Sequence, residues 1–205
     1  MMRKLLLAAM LTVSTFAFSQ GELFGTIGMT KFSEKDNGQK FEDHKATLSG
    51  KLGFTFWIPF EDARFSINPG ITYGNMGTKF KGSNDDTTVT ITLGYVSVPV
   101  DFVYKIKPIG STFFFSGGGY YGYLTSAETQ DGELKINDGD YSYKRSDYGV
   151  NVGAGYFFEN GITLRLTYSK GLANIMNYPT GVDGSHIKNS NFGLSVGYIL
   201  FKKRI

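Results

Sequence analysis

A two-residue rhythm, recurring through most of the chain, constrains its fold more than any other feature. Over residues 47–59, Leu48, Leu52, Phe54, Phe56 and Ile58 share one parity, and Thr47, Ser49, Lys51, Gly53 and Thr55 share the other. Successive side chains of a β-strand point to opposite faces, so this pattern encodes a strand with one apolar face and one small, polar face. Residues 63–74 repeat it, with Phe65, Ile67, Ile71 and Tyr73 opposite Ser66, Asn68, Gly70 and Thr72. So do residues 148–158, 162–172 and 191–201, the last setting Phe192, Leu194, Val196, Tyr198 and Leu200 against Gly193, Ser195 and Gly197. Residues 22–32 alternate weakly, because glycines occupy both faces.

Two further segments depart from the rhythm. Residues 87–105 begin with Val89, Ile91, Leu93 and Tyr95 in phase, then switch to Val98, Val100, Phe102 and Tyr104. A one-residue slip beside Pro99 predicts a β-bulge there, since proline cannot donate to a ladder. Residues 112–125 are apolar on both faces, and residues 108–127 carry no charge over a length sufficient to cross a bilayer as a helix. Gly110, Gly117, Gly118, Gly119 and Gly122 argue against that helix at about 1 kcal/mol each. The segment reads as a strand, bringing the total to eight.

The connections between these strands alternate in character. Residues 33–46, 77–86, 126–147 and 171–190 are long and polar, whereas 59–62, 106–110 and 159–161 are short. Asn160-Gly161 is a tight-turn signal of the type I′ kind. Strict alternation of short and long connections predicts an all-β, eight-stranded, antiparallel, up-and-down transmembrane barrel with both termini periplasmic.

Alternation alone does not say which face meets solvent, and a soluble barrel would bury its apolar face around a ligand. Three features favour lipid outside. The polar face is built from Gly, Ser, Thr and Asn, which suit a narrow bore; it carries Lys51, Arg64, Asp101 and Arg165; and the strands are long enough for a tilted span. These four residues are expected to form a structural polar network that plugs the lumen, with Asp101 paired to one or both arginines, because a lone buried carboxylate is costly.

The beginning of the chain reads as an exported leader. Arg3 and Lys4 precede an apolar run over residues 5–18, and Ala17 and Ser19 occupy the small-residue positions before a cut ahead of Gln20. The expected division is therefore a signal peptide over residues 1–19 and a barrel domain over 20–205. With no cysteine, neither a lipid-anchored thiol nor a disulfide framework is available. Removing Arg3 and Lys4 from the 21 basic residues leaves them nearly balanced against 18 acidic ones, so nothing points to nucleic acid. The expected partners are outer-membrane lipid and an envelope protein, with the oligomeric state left open.

The stretch Leu93-Gly-Tyr-Val-Ser-Val-Pro-Val-Asp-Phe-Val-Tyr, followed by Gly117-Gly-Gly-Tyr-Tyr-Gly-Tyr-Leu, resembles the PorT-like outer-membrane β-barrel family. Phe65 to Tyr73 with Pro69 is similar to that family's preceding strand, and Tyr148-Gly149 to Tyr156 to its sixth. The resemblance implies an eight-stranded barrel in the outer membrane of a Gram-negative bacterium. Some members are linked to protein secretion, and the family has no catalytic residues to transfer.

Other constellations carry less. Gly117 to Gly122 fits G-x-G-x-x-G but lies within a strand, not between a strand and a helix. His44 and His186 fall in expected loops, and Ser185-His186 near Asp183 lacks an established nucleophile–base geometry. Asn137-Asp138-Gly139-Asp140 and Asn84-Asp85-Asp86 read as turns, and Lys202-Lys203-Arg204 as a solvated terminus. Phe60, Tyr73, Tyr104 and Tyr168 suit interfacial belts. The expectation is thus a non-enzymatic barrel without a cofactor or metal, having a structural or interaction role. A narrow solute pore or a lipid-modifying enzyme are the alternatives.

Overall fold

The computed structural model describes residues 20–36, 39–41, 44–81, 88–130, 132–179 and 186–200. The expected leader and the Lys202-Lys203-Arg204 cluster lie outside the described residues, as do Asn84-Asp85-Asp86, Asp183 and Ser185. Eight long strands make the wall: β1 (Gln20–Asp36), β3 (Thr47–Pro59), β4 (Phe65–Lys81), β5 (Thr88–Lys105), β6 (Thr112–Thr129), β8 (Ser146–Phe157), β9 (Ile162–Gly171) and β10 (His186–Ile199). Two short strands, β2 (Gln39–Phe41) and β7 (Gly132–Glu133), fold back on β1 and β6. Each long strand pairs antiparallel with its neighbours in the chain, and β10 pairs with β1, from Glu22↔Ile199 to Lys35↔His186. That last ladder closes the ring, so the wall has no free edge.

The apolar face points outward. Leu52 is 68% exposed, Ile27 67% and Phe102 61%, whereas Asn68, Thr163 and Glu22 on the opposite face are each 1% exposed. A soluble barrel would show the reverse. With its strands joined edge to edge in a closed ring, this surface suits hydrocarbon.

The wall is taller than a membrane requires. Strands β5 and β6 have 18 residues each, against the roughly 9–11 that cross a bilayer, so their loop ends project beyond it. The side-chain pattern inverts at that point. Outward positions on β5 change from Val98, Val100 and Phe102 to Thr88, Thr90 and Thr92, while inward positions change from Ser97 and Asp101 to Leu93 and Tyr95. The expected slip beside Pro99 is therefore absent: the β4–β5 ladder omits two pairs beside Pro99 but keeps the same register from Phe65↔Tyr104 to Lys81↔Thr88. What changes is the surroundings of each face, with water outside and an apolar interior once the strand leaves the bilayer. The register shift lies elsewhere, between Gly94 and Tyr95 of β5 opposite β6, where Thr125 is skipped and Leu124 and Ala127 both stay inward.

Two of the expected long loops fold onto this projecting rim. Tyr143 bridges Ile136 on one side and Met176 on the other, Lys144 N–H donates to the Ile175 carbonyl at 2.8 Å, and Tyr141 N–H to that of Asn177 at 2.9 Å. At the other end the turns are tight. Asn160-Gly161 is not a two-residue type I′ turn, for only Gly161 has positive φ, at 96°. Gly161 N–H donates to the Phe158 carbonyl at 2.9 Å and Phe158 N–H to that of Ile162 at 2.8 Å, a three-residue hairpin whose last position requires the left-handed conformation.

Candidate functional site

The interior of the barrel is layered, and at the turn end the inward parity carries large rings. Trp57, Val103, Phe114, Phe157 and Ile199 form a buried cluster across the bore. Trp57 meets Phe114 edge-on at 5.4 Å and Phe157 at 6.1 Å. The Lys105 ammonium lies 4.9 Å from the Trp57 ring and 5.0 Å from that of Phe157. A cation on these electron-rich faces keeps part of its solvation without an anion.

Immediately above this cluster, Glu22 binds three strands together. Its Oε2 accepts from Trp57 Nε1 at 2.7 Å, from Arg165 Nη2 at 3.0 Å and from Thr55 Oγ1 at 3.2 Å, and its Oε1 accepts from Thr163 Oγ1. Gly197 leaves the space that the carboxylate fills; a Cβ there would come within 2.3 Å of Oε1. The Arg165 guanidinium is stacked among Phe24, Trp57 and Phe114, 5.9, 5.7 and 5.4 Å from their ring centres. A buried pair with this many hydrogen bonds fixes geometry more than it adds net stability.

The middle of the bore holds a cavity of about 50 Å³, lined in part by Lys51, Asp101, Asn151 and Arg165. Three of the four expected network residues thus face one another across the interior. Arg64 does not. It precedes the first residue of β4, its side chain is half exposed, and its Nε lies 4.0 Å from Asp62 in the same turn. Nor does Asp101 pair with an arginine, since Arg165 turns to Glu22 and Asp101 accepts from Asn151 Nδ2 at 3.4 Å. Two strands set this choice. Both β1, with Glu22, and β9, with Arg165, flank β10, whereas Asp101 on β5 lies across the bore. Gly118, opposite Asp101 on β6, leaves room for its carboxylate.

A third polar group sits higher. Asp147, fully buried, accepts from Asn189 Nδ2 at 2.8 Å and from the Tyr120 hydroxyl at 3.1 Å, and Asn189 also reaches the Tyr95 hydroxyl at 3.3 Å. Above it, Phe32, Met76, Leu93, Leu124, Tyr143, Ile175 and Ile187 close the loop end with an apolar cluster. Sequence reasoning missed Glu22, Asp147 and Trp57. Glu22 and Asp147 sit where alternation is weak or a loop is expected, although Trp57 does continue the inward parity of Lys51, Gly53 and Thr55.

The two histidines are apart. His44 packs against Phe32 and Phe80, with ring centres 6.1 Å away in each case, and His186 is exposed as the first residue of β10.

With this geometry, comparison with known proteins becomes decisive. Residues 17–177 match the family described as "Outer membrane protein beta-barrel domain". The chain belongs to that outer-membrane barrel family. Among solved structures, this family member is similar to Neisserial surface protein A, at 10% identity and a TM-score of 0.51, over 88% of this chain and 97% of that one. Also similar are Ail, the attachment invasion locus protein of Yersinia pestis (19%, TM-score 0.41, 87% and 98% covered), and the outer membrane enzyme PagL (14%, TM-score 0.49, 87% and 99% covered). Likeness at such identities establishes the fold and not the activity. A comparison with curated protein sequences returns no match. The outer-membrane barrel is therefore placed in the envelope of a Gram-negative bacterium, with its apolar belt in contact with membrane lipid.

Proposed function

We propose that this barrel is sealed along its axis and has a structural or interaction role, presenting its folded loop end to the exterior from a wall whose termini lie in the periplasm. The observation that carries this reading is the pair of apolar clusters, one around Trp57 and Phe114, the other around Leu93 and Ile175, that close the bore on either side of the polar layers. The interlocked connections over Ser142, Tyr143 and Ile175 would then form a fixed surface for an envelope partner. The PorT-like resemblance makes a secretion assembly the partner to seek, and no catalytic role is assigned.

Recording from planar bilayers tests the seal. The expected trace shows no steady conductance steps, and a stable ohmic current from the purified barrel would overturn the reading. Co-purification from membranes in mild detergent tests the interaction role. A second reading, a narrow pore for small solutes, draws on the charged central cavity between Lys51, Asp101 and Arg165. The same recordings decide between the two.

A further inference from the structure

Along the seam where β10 closes onto β1, the outer face of the wall turns basic. Register places Ser190 of β10 between Lys31 of β1 and Lys170 of β9, in one row across three strands. Lys188 lies one outward position further along β10, opposite Ser33. All four side chains share the outward parity. Lys31 follows the exposed Ile27 and Met29, Lys170 follows Leu166 and Tyr168, and Ser190 and Lys188 continue from Leu194 and Phe192. Strand spacing sets Lys31 and Lys170 about 10 Å apart, with Lys188 about 7 Å along the strand from Ser190. Flexible four-carbon stems let ammonium groups so placed converge on one anion.

Nothing in the wall balances these charges. Among the described residues, no carboxylate lies within ion-pair distance of any of the three lysines, and none of the three rests on an aromatic ring. Like charges gathered on neighbouring strands repel, and they do so more strongly beside hydrocarbon than in water. On β9, Lys170 stands between the exposed Tyr168 and Leu172, so its charge is flanked by apolar side chains. Ser190 is only 9% exposed, although Phe192, the next outward residue of β10, is 53% exposed. Flanking side chains therefore lean over the serine and gather around it. Its hydroxyl donates to the Tyr168 phenol oxygen at 3.2 Å, which leaves the phenol O–H to donate elsewhere. Three ammonium groups and a phenol thus border one serine, and all four are donors.

We propose that this row receives the phosphate of a membrane lipid at the loop end of the barrel. The phosphate oxygens supply the acceptors that Lys31, Lys170, Lys188 and Tyr168 lack, and charge-assisted hydrogen bonds of this kind are the strong ones. The acyl chains of the same lipid lie along Met29, Phe192 and the Tyr168 ring, directly below the row. A soluble anion would meet the same donors and gain nothing from that belt, so a lipid is the occupant. The site faces out of the wall and is independent of the axial seal.

The test uses the full barrel in mild detergent, offered phosphatidic acid and phosphatidylcholine of equal chain length, with retained lipid counted by native mass spectrometry. The parent should hold one phosphatidic acid in preference to phosphatidylcholine. Combining Lys31→Gln, Lys170→Gln and Lys188→Gln should lower that retention about tenfold or more. Combining Lys107→Gln, Lys135→Gln and Lys144→Gln removes as many charges from a turn and a folded loop, and should leave retention unchanged. Heat-modifiable migration in electrophoresis confirms that each variant has folded. Three results overturn the site. Equal retention of the two lipids removes the phosphate preference, and equal loss in both triple variants reduces it to net charge. Displacement of the lipid by excess inorganic phosphate makes the row a site for a soluble anion.

Discussion

Replacing Glu22 with Gln removes one charge from the interior and almost nothing else. The carboxylate accepts three hydrogen bonds on Oε2, from Trp57, Arg165 and Thr55, and one on Oε1 from Thr163. A carboxamide can put its oxygen in the Oε2 position and its NH₂ toward Thr163, whose hydroxyl can turn from donor to acceptor. All four contacts survive in this arrangement, and what remains is Arg165 without its counter-ion, packed among three aromatic rings. Removing one member of a buried pair costs about 3–5 kcal/mol. Because the ring contacts are present before and after, they offset none of it, and since the amide keeps the contacts the lower end applies. About 3 kcal/mol is slightly more than a hundredfold in the folding equilibrium. Reversible urea unfolding in phosphatidylcholine vesicles, followed by Trp57 emission, measures it. Adding Arg165→Met to the same chain removes the stranded cation and should recover most of the loss, giving strong coupling in the double-mutant cycle. Additive costs in the double variant, or a Glu22→Gln barrel within about 0.5 kcal/mol of the parent, would refute the pairing.

Three further outcomes follow from the layering. Trp57, the one tryptophan of the chain, is 2% exposed, so its emission should be blue-shifted and resist iodide quenching; ready quenching would open the turn end. Ile175→Ala removes a fully buried side chain from the upper cluster and should cost about 2–5 kcal/mol, with new protease cleavage in residues 132–145. Val100→Lys on the belt should cost about 2–4 kcal/mol, whereas Thr90→Lys, outward on the same strand but above it, should cost about 0–1 kcal/mol by urea unfolding in vesicles. Equal costs at the two positions would remove the inversion along β5.

Much of the wall was legible in the sequence because a bilayer allows one solution to a two-residue rhythm with tight turns at one end. Leu48, Leu52 and Phe54 had to share a face, and the structure sets them outside. Legibility failed where the solvent changes along one strand. Leu93 and Val100 are both apolar, yet one faces inward and the other outward, and a single chain read in one phase makes a slip of what is a change of medium. The interior was harder. Lys51, Asp101 and Arg165 could be placed on the inward face by parity, but which charges meet depends on strands brought side by side by closure. Glu22 and Arg165 are neighbours across β10 only because the last strand returns to the first. Arg64 shows the opposite error, as one residue beyond a strand end is enough to turn an inward position into a turn.

The inversion of polarity has a consequence for how the molecule rides in its membrane. Sinking by one turn of the pleat would drag Thr92 and Lys79 into hydrocarbon, and rising by the same step would lift Tyr73 and Val98 into water. Both displacements are opposed at once, so the barrel gauges its own draught. A bilayer of different thickness must then stretch or thin around the protein, because the protein has no comparable level at which to float.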